Sequence, residues 1–402
     1  MKVAFLFHGN LNYSNMPIER RDWVIDTSYG ALIKFWNSRF PGLKWNIEHA
    51  GWDVDYMAKN TPHIIEEERK ILGKTLEFVG APYGHSILAN YPYQDGVHAL
   101  QFSMESYQNV LGVKPRVMWN PEGAWNRDVP RMAKAAGFDG MFVDWDSYLR
   151  CNDEKVRASE DTGERAHVYA DLTDEHVNPT DKSLHFPMPI IPGLTGIMRT
   201  DRVSRHMLCY LMGDKKVDMN AIMERYTAAN EGYLVVYAED AEYCGTTGWY
   251  FMKYHSLSSC FDPIPESFDR LDTVIQWMLD HGHEIVNLSD IIDTVPHLKQ
   301  NIVLKDGMAW HGAYAEAWSS TPSSKEFDAI GDRVREKIKR AEAKAATAAD
   351  KEKVRQAWKH LICSQNSDGR WPPPPVNPAQ WNLDFCRDNL VAAEKIADGL
   401  LK

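Results

Sequence analysis

The sequence predicts an α/β fold, with a barrel-like domain over residues 1–300 and a helical domain over 301–402 packed on it. Short apolar runs without alternation recur along the first half, as buried parallel strands do. Helix-like stretches separate them, which calls for a parallel sheet with helical crossovers. From about Glu326 the composition shifts to strong helix formers, as in Arg340-Ala341-Glu342-Ala343-Lys344-Ala345-Ala346.

In chain order, Val3–Phe7 is the first strand, Ser28–Ser38 a helix, and Leu43–Ala50 the second strand. Val54–Leu72 reads as one helix, Thr75–Ala81 as the third strand, and Gly96–Leu111 as a helix. Arg116–Pro121 is strand-like, Val129–Ala136 helical, and Phe138–Asp144 strand-like again. The polar stretch 151–182 is expected to leave the barrel as an insertion. Tyr233–Ala238 is a strong buried-strand signal and Glu284–Leu288 a second. Two further helices fit Lys351–Leu361 and Phe385–Leu401, with a proline-rich loop at Pro372–Pro375 between them.

The 402 residues carry a net charge of -11, which disfavours nucleic acid and anionic membrane as partners. Fourteen Trp and 17 Tyr supply flat apolar faces with a polar edge, suited to stacking on sugar rings. Cys151, Cys209, Cys244, Cys260, Cys363 and Cys386 make no Cys-x-x-Cys pair. The apolar run after Met1 is too short for a signal segment, and no run approaches the roughly 18 residues of a membrane helix. A cytoplasmic protein with reduced thiols is expected.

In parallel α/β barrels, reactive side chains sit where strands end. Here the strand ends carry His8, Glu48-His49, His85, Glu122, Asp144-Trp145-Asp146 and Glu239-Asp240-Ala241-Glu242. Glu122 is flanked by Trp119, Pro121 and Trp125, an apolar setting that raises a carboxyl's pKa. Asp240 follows an apolar strand and stands beside Glu239 and Glu242, whose like charges push the pKa values apart. Two opposed carboxyls with stacking aromatics are the minimal apparatus for glycoside cleavage.

At these residues the chain resembles glycoside hydrolase family 57. Trp119-Asn120-Pro121-Glu122-Gly123-Ala124-Trp125 is similar to the family's Trp-x-Pro-Glu-Cys-Ala-Tyr motif, whose Glu is the nucleophile. Asp240-Ala241-Glu242-Tyr243-Cys244-Gly245 resembles its later motif, whose Asp is the acid/base. Tyr83-Gly84-His85-Ser86-Ile87-Leu88 and His8–Tyr13 are similar to two further motifs. Ser367-Asp368, Trp310 and Trp318 resemble elements of its C-terminal region. The chain departs from the pattern at Asn10, Asn12, Gly123 and Gly369, though Trp371 follows two residues after Gly369. The resemblance implies an incomplete seven-stranded (β/α) barrel and a retaining mechanism on α-linked sugars. Glu122 and Asp240 would be catalytic. His8, Glu48, His85, Trp119, Trp125, Glu242, Trp310, Asp368 and Trp371 would bind substrate.

The expected ligand is an oligo- or polysaccharide, cleaved by a hydrolase or passed to a second sugar by a transglycosylase. A metal-dependent polysaccharide deacetylase or mannosidase needs clustered His ligands, yet the 15 His include no His-x-x-x-His pair. A non-catalytic glycan-binding barrel would have no use for both carboxyls. No cofactor or metal is expected.

Overall fold

The computed structural model describes residues 1–160, 175–249, 261–310, 313–372 and 377–402. The strands are β1 (Lys2–Gly9), β2 (Trp45–His49), β3 (Leu76–Val79), β4 (Val117–Met118), β5 (Gly140–Asp144), β6 (Met188–Ile191), β7 (Leu194–Arg199), β8 (Tyr233–Asp240), β9 (Gly245–Thr246), β10 (Pro263–Ile264) and β11 (Glu284–Ile285). The fold is α/β, with mixed sheets. β1 is buried from Val3 onward and pairs in parallel with β8 from Lys2 to His8. Its other edge takes β11 at Lys2–Val3 and then β2 from Leu6 to Gly9, and β3 continues from β2. A second sheet runs β4-β5-β7-β6, parallel except for β6.

The two sheets meet at both ends. Gly80, just after β3, bridges to Met118 of β4, with Trp119 N donating to Gly80 O at 2.7 Å. Between β7 and β8, the buried Tyr233 hydroxyl accepts from Met198 N at 2.6 Å and donates to Met198 O at 3.3 Å. A phenol thus satisfies the backbone groups of Met198 at this junction.

Several expected elements change at their boundaries. The long helix expected at 54–72 is two, Gly51–Asn60 and Pro62–Ile71, because Pro62 has no N–H with which to continue the first. The strand expected at 284–288 stops at Ile285, since Asn287 caps a new helix, Leu288–Thr294. Strands β6 and β7 and the helices Asp201–Leu211, Met219–Thr227 and Glu266–Asp280 were not expected. Pro187, Pro189, Gly193 and Gly196 punctuate β6 and β7 and hide their apolar pattern. Of the expected insertion, 161–174 lies outside the described residues, as do Cys260 and Pro373–Pro375.

Helices Pro322–Lys344, Ala348–Cys363 and Gln380–Leu401 pack together through Phe327, Val334, Trp358, Leu361, Leu390 and Ala393, in the same apolar cluster as Phe5, Phe7 and Trp36. Arg335 adds a polar tie, forking onto Asp95 through Nε at 2.9 Å and Nη2 at 2.8 Å. Among the described residues no helix is long and apolar enough to cross a membrane.

Gly84 sits where the loop after β3 presses on helix Ala348–Cys363. A Cβ there would come 2.8 Å from the Ile362 carbonyl oxygen and 3.1 Å from Cys363 Cα. Backbone cannot swing aside as a side chain can, so Gly84→Ala is expected to cost about 1–3 kcal/mol in chemical denaturation. It should also displace the neighbouring His85. A variant as stable as the parent would show that the two segments separate freely.

Candidate active site

The ladder itself assembles the floor of the site. In register, Glu48 on β2 pairs with His8 on β1, and His8 with Asp240 on β8. His8 Nε2 lies 4.0 Å from Asp240 Oδ1. Its ring stacks on His85 and on Trp119, each with a centroid separation of 4.9 Å.

Glu122 is held on a turn after β4. Its φ of +55° is in the left-handed region, uncommon for a residue with a Cβ, as is that of His85, also +55°. Neighbouring bonds lock the turn: Asn120 Nδ2 donates to Ala124 O at 2.8 Å and Trp125 N to Met308 O at 2.8 Å. Gly123 follows at φ +56°, and a Cβ there would come 3.0 Å from Asp144 Cβ. The departure to Gly at 123 thus leaves room for the carboxyl at the end of β5.

The opposite side is an ionic knot. Arg199, at the end of β7, bonds to Asp201 at 2.7 Å and to Glu239 at 2.9 Å, and its guanidinium lies 5.6 Å from the Trp119 ring centroid. Trp310 Nε1 donates to Asp201 at 2.8 Å. Asp368 closes the last side by accepting from Asn10 Nδ2 at 2.8 Å and Ser14 N at 2.7 Å. Trp371 meets Trp318 edge-on at 5.6 Å.

The result is an open cleft of about 1230 Å³, counting its mouth. His8, His85, Trp119, Glu122, Asp240, Trp310, Asp368 and Trp371 all line it, so the structure brings both carboxyls and six of the nine expected binding residues to one cavity. Glu48, Trp125 and Glu242 do not line it. Glu48 and Glu242 are fully buried behind it, Glu48 against His8 and Glu242 against Tyr29 and Asn10 N. Trp125 packs in the main apolar core. The cleft also takes Asn10, Tyr13, Asp144, Arg199, Asp201, Arg205, Glu239, Tyr243 and Trp249, which were not among the expected site residues. Of these, Asp144 and Glu239 carried a signal, since they end recognised strands, as did Asn10, Tyr13 and Tyr243, which lie within the quoted motifs.

Electrostatically the cleft favours protons on its acids. Burial, then Asp368 and Asp240, push Glu122 up to about 8 against the pull of Arg199 and His85. Burial also raises Asp240, partly offset by His8 and Tyr13, and raises Asp368. Asp144 rises to about 7 through burial and the neighbouring Asp146. Among the described residues, His8, Glu48 and His85 bring one possible metal-ligand atom each to within 4.8 Å of one another. They come from three separate segments, so no spacing motif reveals them.

Residues 21–183 match the sequence model of glycosyl hydrolase family 57. The segment holds Glu48, His85, Trp119, Glu122 and Trp125, while Asp240, Trp310, Asp368 and Trp371 lie beyond it. A 4-alpha-glucanotransferase of Thermococcus kodakarensis is 23% identical over 189 residues, 45% of this chain and 27% of that protein. The chain thus spans about a quarter of that curated relative's length. Among solved structures, an alpha-amylase from Thermotoga maritima superposes with a TM-score of 0.68 at 13% identity, covering 100% of this chain and 93% of its own. A family 57 branching enzyme from Thermococcus kodakaraensis gives 0.69 at 12% identity, covering 98% and 89%. The likeness to glycosyl hydrolase family 57 thus rests on residues 21–183 and on the relatives that share that stretch.

Proposed function

We propose that the protein is a retaining enzyme of α-linked oligo- or polysaccharides. Glu122 attacks the anomeric carbon as Asp240 protonates the leaving oxygen, and Asp240 then deprotonates the incoming water. The observation that carries this reading is one cleft lined by Glu122, Asp240, two stacked imidazoles and four tryptophans. That cleft supplies two carboxyls for double displacement and flat faces for sugar rings. His8, His85, Trp119, Trp310, Asp368 and Trp371 are the proposed sugar contacts. The parallel pairings, bridged at Gly80–Met118 and at Tyr233, support an incomplete (β/α)7 barrel over 1–300, with the helices of 301–402 forming the second domain. Buried free thiols at Cys244, Cys363 and Cys386 suit a cytoplasmic setting.

Similarity to a 4-alpha-glucanotransferase favours transfer to a sugar hydroxyl as the second reading. The test is a screen of α-linked oligosaccharides, with the first product followed by NMR. Retained anomeric configuration is expected with either acceptor, and an inverted first product excludes double displacement.

The acidity of the pair has a consequence for rate. Catalysis needs one proton shared between Glu122 and Asp240. Both carboxyls are raised, Glu122 to about 8, so the singly protonated pair persists to higher pH than ordinary carboxyls allow. A plot of kcat/KM against pH should fall only above about 8, by roughly tenfold per pH unit. A descending limb that begins near 6 would contradict this.

A further inference from the structure

Glu48 is fully buried behind the cleft, yet it touches the cleft's chemistry through both of its oxygens. Oε2 is hydrogen-bonded to His8 Nδ1, and Oε1 lies 3.7 Å from His85 Nε2. The pairing with His8 is built into the ladder, where the two residues are register partners. His85 Nε2 has a second acid, Asp53 Oδ2, at 3.9 Å.

We propose that Glu48 is a positioning residue: a buried carboxylate that orients the His8 imidazole of the cleft, holding its hydrogen on Nδ1. Burial alone would raise the Glu48 pKa, but His8 and His85 overcome it and hold it at about 2. As an anion Glu48 can only accept, so the His8 Nδ1 bonded to it must donate. A neutral His8 then offers a bare Nε2 on the side of Asp240. In the other tautomer, with the hydrogen on Nε2, an N–H would face Asp240 and favour its carboxylate form, blunting it as an acid. The orientation of His8 follows from the geometry alone, and its catalytic consequence rests on the role proposed for Asp240.

The experiment combines kinetics with ¹⁵N NMR of histidine-labelled protein. The wild-type spectrum should show His8 protonated on Nδ1. Glu48→Gln should lower kcat by about tenfold to a hundredfold with KM within about threefold, the span seen when an outer hydrogen-bond partner of an oriented imidazole is lost. The Gln variant should also show His8 with Nε2–H. A wild-type Nε2–H tautomer overturns the proposal, and this readout stands even if the variant fails to fold. Unchanged kcat with raised KM overturns it too, since Glu48 would then act on substrate binding. So does a site for one Zn²⁺ in the wild type that Glu48→Gln abolishes, because ring nitrogens bound to metal carry no hydrogen. If the wild type turns over no glycoside, the proposed function fails while the NMR measurement still judges the orientation.

Discussion

Glu122→Gln should show no measurable turnover of any glycoside, because without the carboxylate no covalent intermediate can form. Asp240→Ala should behave differently. Glycosides with poor leaving groups need a proton, and their turnover is expected to fall by about 10² to 10⁴. An activated glycoside needs little acid help, so Glu122 should still be glycosylated and the intermediate should accumulate. Azide needs no base. Added to Asp240→Ala, it should restore turnover and yield a glycosyl azide of retained configuration. The measurement compares both variants on one activated substrate with and without azide. Rescue of Glu122→Gln alone would reverse the two roles, and rescue of neither would remove the role given to Asp240.

Arg199→Ala should cost the fold about 3–5 kcal/mol, the span for breaking a buried ion pair from one side. The Arg199 side chain is 7% exposed, and its partners Asp201 and Glu239 are 0% and 14% exposed. Burial and then Asp201 already raise Glu239 well above the ordinary range, with Arg199 opposing both. Without the cation, the two acids keep their protons in the folded state at pH values where the unfolded chain has lost them. A group raised by folding loses stability as pH rises from its unfolded towards its folded pKa. The gap between wild type and Arg199→Ala should therefore widen as pH rises above the ordinary carboxylate range in urea titrations. A gap that is constant, or below about 1 kcal/mol, would mean that the knot contributes no more than a surface pair.

The sequence made one side of the cleft legible because its residues lie at the ends of strong strands. His8, Glu122 and Asp240 each follow a recognisable apolar run, and register then places His8 beside Asp240. Depth was not legible. Glu48 and Glu242 look like site carboxylates in one dimension, but their side chains lie behind the cleft. Trp125 differs from Trp119 only by its place on the turn, and it packs into the core while Trp119 lines the cleft. Arg199 and Arg205 were missed for another reason. Prolines and glycines interrupt the pattern of β6 and β7, so neither Arg199 nor the helix carrying Arg205 had a strand to anchor it. The Glu48 group escaped every spacing rule because it joins β1, β2 and the loop after β3.

The clasp of Asp368 on the loop after β1 also sets a timetable. Asn10 and its partner Asp368 stand 358 residues apart in sequence, and Trp381 and Asn382 reach the same loop at Met16 and Asn12. A ribosome adding about 5–20 residues per second separates their synthesis by tens of seconds. Throughout that interval His8 already exists, but the side of the cleft that faces it does not. The loop after β1 waits for helix Gln380–Leu401, so this side of the cleft should close only once that helix has been made.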